Sequence, residues 1–160
     1  MKNLDSGKIS NIKYSMHLKL TFCGGMLVGL IIFIYLYGLE VVNPLNDTWI
    51  YTRASDFSQA YNGWLLYRET PWTFPLGFID GMFYQMNSVT TISTDSIPIF
   101  ALFFKILSPI LPETFQYFGI WELLCFCLQG GLGALLLRKK ISYTSVAVLG
   151  SPFFVIASWF

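Results

Sequence analysis

The amino-acid sequence predicts an all-α membrane protein with about three transmembrane helices and one large extracytoplasmic loop. Charged residues make up 12% of the 160 residues, whereas soluble domains usually contain about 25%. So few charges cannot cover the surface of a soluble globule of this size. Hydrophobic residues make up 54% of the chain and concentrate in a few long segments. The composition therefore excludes a typical soluble enzyme, a disordered tail and a nucleic-acid binder.

The first span is predicted at residues 20–39. This segment contains no charged residue, and about 20 helical residues at about 1.5 Å each cross a hydrocarbon core of about 30 Å. A cleaved signal peptide is the alternative, but the apolar core of a signal peptide usually has only about 7–15 residues. Residues 1–19 carry four lysines and are predicted to stay in the cytoplasm, because basic segments beside spans favour that side.

The second and third spans are predicted at residues 115–137 and 142–160. The second span contains a single charged residue, Glu122, and the third contains none. Between them, residues 138–141 include one arginine and two lysines. This basic cluster predicts a short cytoplasmic turn.

The predicted extracytoplasmic loop, residues 40–114, holds seven of the nine acidic residues. The loop is rich in aromatic residues, which argues against disorder, because disordered segments contain few of them. Two interfacial helices are predicted within it, near residues 56–69 and 96–108. In the first helix, Asp56 and Gln59 resemble a capping box, and apolar residues recur at helical spacing.

The apolar segment 96–111 admits two interpretations. Lys105 and several prolines divide it into short apolar parts. A crossing at this segment would also place the basic cluster of residues 138–140 outside, against the charge rule. We therefore interpret the segment as an interfacial or re-entrant helix on the outer side, with a further crossing as the alternative.

The acids of the loop are the candidate site residues. Asp56 and Asp95 each stand at a predicted helix start, where a carboxylate can accept a proton or bind a divalent cation. In the alternative, both side chains only cap their helices, and Asp47 has the same two interpretations. Arg68 could contact a phosphate or pair with an acid such as Asp95 or Glu69. A divalent cation is therefore the candidate cofactor, although no residue set predicts a metal centre.

Glu122 is a separate candidate within the second span. An ionisable residue inside a membrane is costly and is a functional candidate by default, but a position near the outer interface would explain it equally well. The same span contains Gly130, Gly131, Gly133 and Ala134. Such small residues predict close packing against another helix.

Several motifs resemble a family of uncharacterised bacterial polytopic membrane proteins. They comprise Asp56 with Gly63-Trp64-Leu65-Leu66-Tyr67-Arg68, Pro71-Trp72, Phe74-Pro75-Leu76-Gly77, Thr94-Asp95-Ser96-Ile97-Pro98, residues 115–121 and Leu128-Gln129-Gly130. The architecture is similar to that of the GT-C glycosyltransferases, in which a large extracytoplasmic loop with interfacial helices follows the first span. This resemblance implies a multi-pass protein of the bacterial inner membrane that uses a polyprenyl-phosphate-linked sugar.

The resemblance also implies roles for individual residues. Asp56 would be the base that activates the acceptor, or an acid linked to a metal, and Asp95 would be a second acid. Arg68 would contact a phosphate. Trp64, Trp72 and Asp47 are further candidates for contacts with the substrate, and they complete the predicted site.

Two departures from the GT-C pattern bear on activity. The loop contains no D-x-D pair, and members of such families are several times longer. The chain is therefore expected to be the N-terminal part of a larger bundle, lacking further spans or partner helices and inactive alone. Two other functions stay open. One is a transporter or flippase segment that uses Glu122, and the other is a non-catalytic assembly subunit with the loop as a docking surface.

Overall fold

The computed structural model describes residues 2–53, 55–83 and 86–157, which are mostly helical. The elements in chain order are α1 (Lys2–Tyr37), α2 (Thr48–Arg53), α3 (Ser55–Glu69), β1 (Phe78–Phe83), β2 (Met86–Thr90), α4 (Pro98–Leu107), α5 (Phe118–Arg138), α6 (Thr144–Gly150) and α7 (Pro152–Ala157). The chain divides into two compact units. The helical unit comprises Met1–Leu39 and Trp121–Phe160, and the inserted unit comprises Glu40–Ile120.

Two helices are long and apolar enough to cross a membrane, namely Tyr14–Tyr37 within α1 and the whole of α5. They overlap the predicted spans at residues 20–39 and 115–137. The second begins later than predicted because residues 115–117 precede α5 and are buried in the inserted unit. The N-terminal basic segment continues the first helix, since α1 begins at Lys2.

The predicted third span, residues 142–160, contains two short helices instead of one. α6 and α7 have 7 and 6 residues, and residues 158–160 lie outside the described part of the chain. Pro152 has no N–H to donate to the carbonyl of Val148, which interrupts the helix. The backbone N–H and the hydroxyl of Ser151 donate to that carbonyl instead, at 3.1 and 2.7 Å.

Glycines allow α1 and α5 to approach closely within the helical unit. A Cβ atom on Gly25 would overlap the carbonyl oxygen of Gly130, and one on Gly29 would overlap the carbonyl oxygen of Phe126. Gly25 and Gly29 are four residues apart and lie on one side of the helix, which is the small-xxx-small pattern of packed membrane helices. The structure confirms that the small residues of α5 serve close helix packing.

The inserted unit contains the hairpin of β1 and β2. The strands are antiparallel, with Phe78 opposite Thr90 and Ile79 opposite Val89. β2 includes Val89 and Thr90, and β-branched residues of this kind favour strands. β1 was not predicted because it includes Asp80 and a glycine, both of which are depleted in strands.

Aromatic rings form the core of the inserted unit. Trp64 and Tyr117 are fully buried, with their ring centroids 5.3 Å apart, and Phe104 stacks on Tyr117 at 5.2 Å. Their polar atoms are bonded as well. The indole N–H of Trp64 donates to the carbonyl of Phe115 at 3.0 Å, and the Tyr117 hydroxyl donates to the carbonyl of Ser96. This core fixes α3 against the segment that precedes α5.

Gln116 joins the first and last residues of the inserted unit. Its amide nitrogen donates to the carbonyls of Val41 and Asn43 at 3.0 and 2.8 Å, and its amide oxygen accepts from the backbone N–H of Gly119 at 3.0 Å. A Cβ atom on Gly119 would overlap the Val41 carbonyl. Gln116 lies inside the predicted second span, whereas the structure gives its side chain this role ahead of α5.

Candidate functional site

The turn between β2 and α4 holds Asp95 in an unusual backbone conformation. Asp95 has φ 54° and Ile97 has φ 49°. The left-handed region costs most L-residues about 1–2 kcal/mol, although aspartate and asparagine visit it more readily. It is a genuine outlier for a β-branched residue such as isoleucine. Strain of this kind persists only where the surrounding structure imposes it. The Asp95 side chain is exposed.

Ser96, between the two left-handed residues, is fully buried, and its backbone N–H, its hydroxyl and its carbonyl all form hydrogen bonds. Its backbone N–H donates to the carbonyl of Thr91 at 3.0 Å, and its hydroxyl donates to the carbonyl of Ala60 in α3 at 2.8 Å. Its own carbonyl accepts from the hydroxyl of Tyr117. Burial raises the pKa of Tyr117, so that hydroxyl keeps its proton. These bonds anchor the turn and leave Asp95 facing outward.

α3 passes close to this turn at Gly63. A Cβ atom on Gly63 would lie 2.6 Å from the hydroxyl oxygen of Ser96 and closer still to the side chain of Thr94. The hydroxyl oxygens of Thr94 and Ser96 are themselves 2.6 Å apart. Only glycine permits so close an approach, which explains a helix-weakening residue in the middle of α3.

Asp56 lies near the same turn. It is exposed and belongs to the first turn of α3, where a carboxylate interacts favourably with the helix dipole. Asp56 precedes Ala60 by four residues, so the two lie on one side of the helix. Because Ala60 accepts the hydrogen bond from Ser96, Asp56 lies about one helical turn before the contact between α3 and the turn that holds Asp95.

The helix-cap interpretation of Asp95 needs correction. α4 begins at Pro98, its N-cap residue is Ile97, and no side chain caps it. An N-cap residue usually has a β-region backbone, which the left-handed Asp95 does not have. α3 begins at Ser55, so Asp56 lies inside the first turn and not before it.

Asp47 lies just before α2 and forms hydrogen bonds with residues of both α2 and α3. Its backbone carbonyl accepts from the N–H of Ile50 in α2 at 3.0 Å. Its carboxylate accepts a hydrogen bond from the hydroxyl of Tyr61 at 3.5 Å. Burial, with the Asp47 carboxylate as a second cause, raises the pKa of Tyr61. The exposed ring of Tyr51 lies 6.0 Å from that of Tyr61, and its hydroxyl donates to Asn62 at 3.3 Å. Asp47 therefore stands in a polar and aromatic cluster.

The two tryptophans predicted to contact the substrate have different environments. Trp64 has no exposed surface, and its one donor is used by Phe115, so it is a core residue with no surface to offer a substrate. Trp72 is 54% exposed. Of the two, only Trp72 has a ring face accessible to a ligand.

Arg68 binds backbone carbonyls instead of an acid. Its two terminal nitrogens donate to the carbonyls of Pro112 and Leu111, each at 2.6 Å, and to those of Ser108 and Glu113, at 3.1 and 3.2 Å. The predicted pairing with Asp95 or Glu69 is therefore replaced by a contact between α3 and the end of the α4 segment. The predicted contact with a phosphate stays a prediction.

Lys105 is a residue that sequence reasoning missed. It is 5% exposed, and its ammonium donates to the carbonyls of Tyr67 and Thr70 at the end of α3, at 2.5 and 2.6 Å. The nitrogen also lies 3.9 Å from the ring centroid of Tyr67 and 5.1 Å from that of Trp72. The carbonyls and rings favour the cation, yet burial lowers the pKa of Lys105. The sequence signal that could have identified Lys105 is that it is the one charged residue in the apolar segment 96–111.

Glu122 belongs to the helical unit and not to the inserted unit. It is half-buried, in the second turn of α5. The predicted site residues are therefore divided between the two units: Asp47, Asp56, Arg68 and Asp95 belong to one unit, and Glu122 belongs to the other.

Residues 2–53, 55–83 and 86–157 contain no cluster of metal-binding side chains for the predicted divalent cation. Within these ranges, no three His, Cys, Asp or Glu side chains are close enough together to bind a metal ion. Asp56 and Asp95 would supply two carboxylates at most. The residues in these ranges therefore do not by themselves form a divalent-cation centre.

Comparison with known proteins gives one match. Neither a curated protein nor a solved structure shows significant similarity to the chain. The model of a family described as a domain of unknown function, DUF6311, matches residues 26–160. This range covers most of both units, from the middle of α1 to the end of the chain. The chain therefore belongs to the DUF6311 family.

Proposed function

We propose that the inserted unit carries the acidic residues of a glycosyl-transfer site in a GT-C-like enzyme of the bacterial inner membrane. The N-terminus would be cytoplasmic and the inserted unit extracytoplasmic. The donor would be a polyprenyl-phosphate-linked sugar, and the acceptor a glycan or lipid of the cell envelope. Two helices long enough to cross a membrane flank the inserted unit in sequence. This arrangement along the chain supports the proposed location of the inserted unit at the bilayer surface.

The observation that carries the proposal is the strained, outward-facing Asp95. Its left-handed backbone is imposed by the buried bonds of Ser96, and strained residues of this kind cluster at functional sites. A helix cap would not require this geometry, because Ile97 is the N-cap residue of α4. The non-catalytic interpretation, in which the acids are only caps, therefore does not account for Asp95.

The proposed chemistry follows from an exposed carboxylate. The acceptor hydroxyl attacks the anomeric carbon of the donor sugar, and the bond from that carbon to the phosphate oxygen breaks. The polyprenyl phosphate leaves with the bonding electrons, and the Asp95 carboxylate takes the proton of the acceptor. Asp56, in the first turn of α3, is the alternative base.

The other predicted residues have supporting roles in this proposal. Arg68 is a positioning residue, because its bonds to four carbonyls connect α3 to residues 108–113. Trp72 presents an exposed ring on which a sugar face could stack. Trp64 supports the site from the core.

Asp95→Asn, introduced into the native gene, tests the proposal in the complete protein. Asparagine tolerates the left-handed region, so the turn is retained while the proton acceptor is lost. We expect transfer of labelled sugar from a polyprenyl-phosphate donor in isolated membranes to fall by about 10²-fold or more. Asp56→Asn, made in parallel, shows which acid is the base. Unchanged transfer in both variants would contradict the proposal.

Asp95→Gly is the matched control for strain. Glycine adopts the left-handed backbone without cost, so this variant should be at least as stable as the wild type while it lacks the carboxylate. Reduced transfer together with undiminished thermal stability would separate a chemical role from a structural one. If Asp95→Gly instead retained full transfer, Asp95 would not be the base.

A further inference from the structure

α4 turns its charged residue inward and several large apolar residues outward, while Phe104 packs inward on Tyr117. Lys105 is 5% exposed, whereas Ile99, Phe103 and Ile106 are 79%, 56% and 66% exposed. Ile110, in the short 3₁₀ turn that follows α4, is 79% exposed. The spacing 99, 103, 106, 110 places these side chains on one face of a helix.

The buried lysine and the exposed apolar face are the reverse of what the surface of a soluble protein would present. A helix on a water-exposed surface turns lysine to the solvent and its apolar face to the core. Here the carbonyls of Tyr67 and Thr70 hold the ammonium of Lys105 inside. No other residue of α4 carries a charge, so the outward face has no polar interruption.

The loop at residues 72–76 adds further exposed apolar side chains to the inserted unit. Trp72, Phe74 and Leu76 are all exposed, and Phe74 is 93% exposed. The ring of Trp72 lies 5.1 Å from the nitrogen of Lys105, so the loop contacts α4. Exposed apolar surface of this kind marks an interaction site.

We propose that the outward face of α4, together with Trp72 and Phe74, inserts into the interfacial layer of a lipid bilayer. The occupant follows from chain continuity: residues 111–117 lead from this face directly into α5, which is long and apolar enough to cross a membrane. The side-chain types also match a bilayer interface, where an amphipathic helix buries its apolar residues and tryptophan occupies the headgroup region. This surface would exist whether or not the inserted unit transfers sugar.

Collision measurements on spin labels test the insertion in the full chain in lipid nanodiscs. Cys23, Cys125 and Cys127 are first replaced by alanine, and a single cysteine is then introduced at Phe103 or Ile106. Gln59, an exposed polar position on α3, is the matched control. We expect labels at 103 and 106 to collide several-fold more with oxygen, and several-fold less with a nickel chelate, than the label at 59.

Each other outcome would overturn the proposal. Nickel access equal to that at position 59 would mean that the face meets water. Low access of both reagents would mean that protein covers the face, either a second copy or another partner. Both results are independent of sugar transfer, so they are distinguishable from failure of the proposed function.

Fluorescence provides a measurement without labels on α4. Lipids brominated near the headgroup should quench the tryptophan emission of the full chain, and Trp72→Phe should remove part of the quenchable signal. Trp72 is exposed, so the substitution does not disturb the core. An unchanged quenchable fraction would contradict insertion of the loop.

Discussion

The two units of the chain are stabilised by different kinds of contact. In the helical unit, α1 and α5 approach until only glycine fits between their backbones. In the inserted unit, large aromatic rings fill the core, and long polar side chains reach across it to backbone carbonyls. The contact between α1 and α5 has no room for side chains at Gly25 and Gly29, whereas large side chains fill the core of the inserted unit.

This difference has a physical basis. Lipid offers little hydrophobic drive for helix association, so helices long enough to cross a bilayer gain most from close van der Waals packing. The inserted unit is built of short elements, whose ends leave carbonyls without helical partners. Arg68 and Lys105 each donate to several backbone carbonyls at or just beyond such ends, which explains how the inserted unit holds one half-buried and one buried cation.

The largest expected effect is on the aromatic core. Trp64→Ala removes a fully buried ring and the bond to Phe115, and we expect it to destabilise the inserted unit by about 3–5 kcal/mol. Trp72→Ala is the matched control and should have a much smaller effect, because Trp72 is half-exposed. Hydrogen exchange resolved by peptide locates the loss in residues 40–120. Equal effects of the two substitutions would contradict the core assignment.

A smaller loss is expected from Gly29→Ala in the helical unit. The added Cβ would meet the backbone carbonyl of Phe126, which cannot move aside, and overpacking of this kind costs about 1–3 kcal/mol. Gly24→Ala is the matched control, because its Cβ would meet a side-chain methyl of Val148 at 2.9 Å. Both variants gain the same helix propensity, about 1 kcal/mol. Thermal unfolding in detergent should therefore rank Gly29→Ala below Gly24→Ala, and the reverse order would contradict backbone contact.

The smallest effect, a dependence on pH, is expected at Lys105. Burial lowers the pKa of Lys105 in the folded protein, so the unfolded chain binds more protons between that pKa and the ordinary value of 10.5. Stability then rises with pH across this window. Lys105→Met removes this contribution.

The measurement is the stability difference between wild type and Lys105→Met from pH 7 to about 9.5. We expect the difference to shift in favour of the wild type as the pH rises. The comparison cancels tyrosine ionisation, which acts on both proteins near pH 10. A difference that is constant or that falls with pH would contradict a lowered pKa for Lys105.

The fold was predictable where one local property decides it. A long apolar run without charge is sufficient to predict α1 and α5, and proline or glycine marks most helix ends. β1 was not predicted because its aspartate and its glycine interrupt the run of strand-favouring residues. The interruption between α6 and α7 was not predicted, because it arises from the one hydrogen bond that Pro152 cannot donate, an effect that average hydropathy does not register.

The candidate site was predictable only as residue types. Aspartates at helix starts suggested caps, but Asp95 stands before a helix that has no side-chain cap, in a backbone imposed by Ser96. Arg68 suggested a salt bridge, yet its partners are carbonyls about 40 residues away. Neither arrangement leaves a local pattern, because the partners come from other elements.

The sequence by itself determined the composition of the two units: few charges in the helices, most acids between them, and glycines where helices pack. These properties follow from hydropathy and side-chain size, which each residue carries alone. Only the tertiary structure decided that Lys105 points inward, that Trp64 is buried and Trp72 exposed, and that Asp95 faces outward under strain. Such orientations depend on hydrogen-bond partners and packing surfaces supplied by distant parts of the chain.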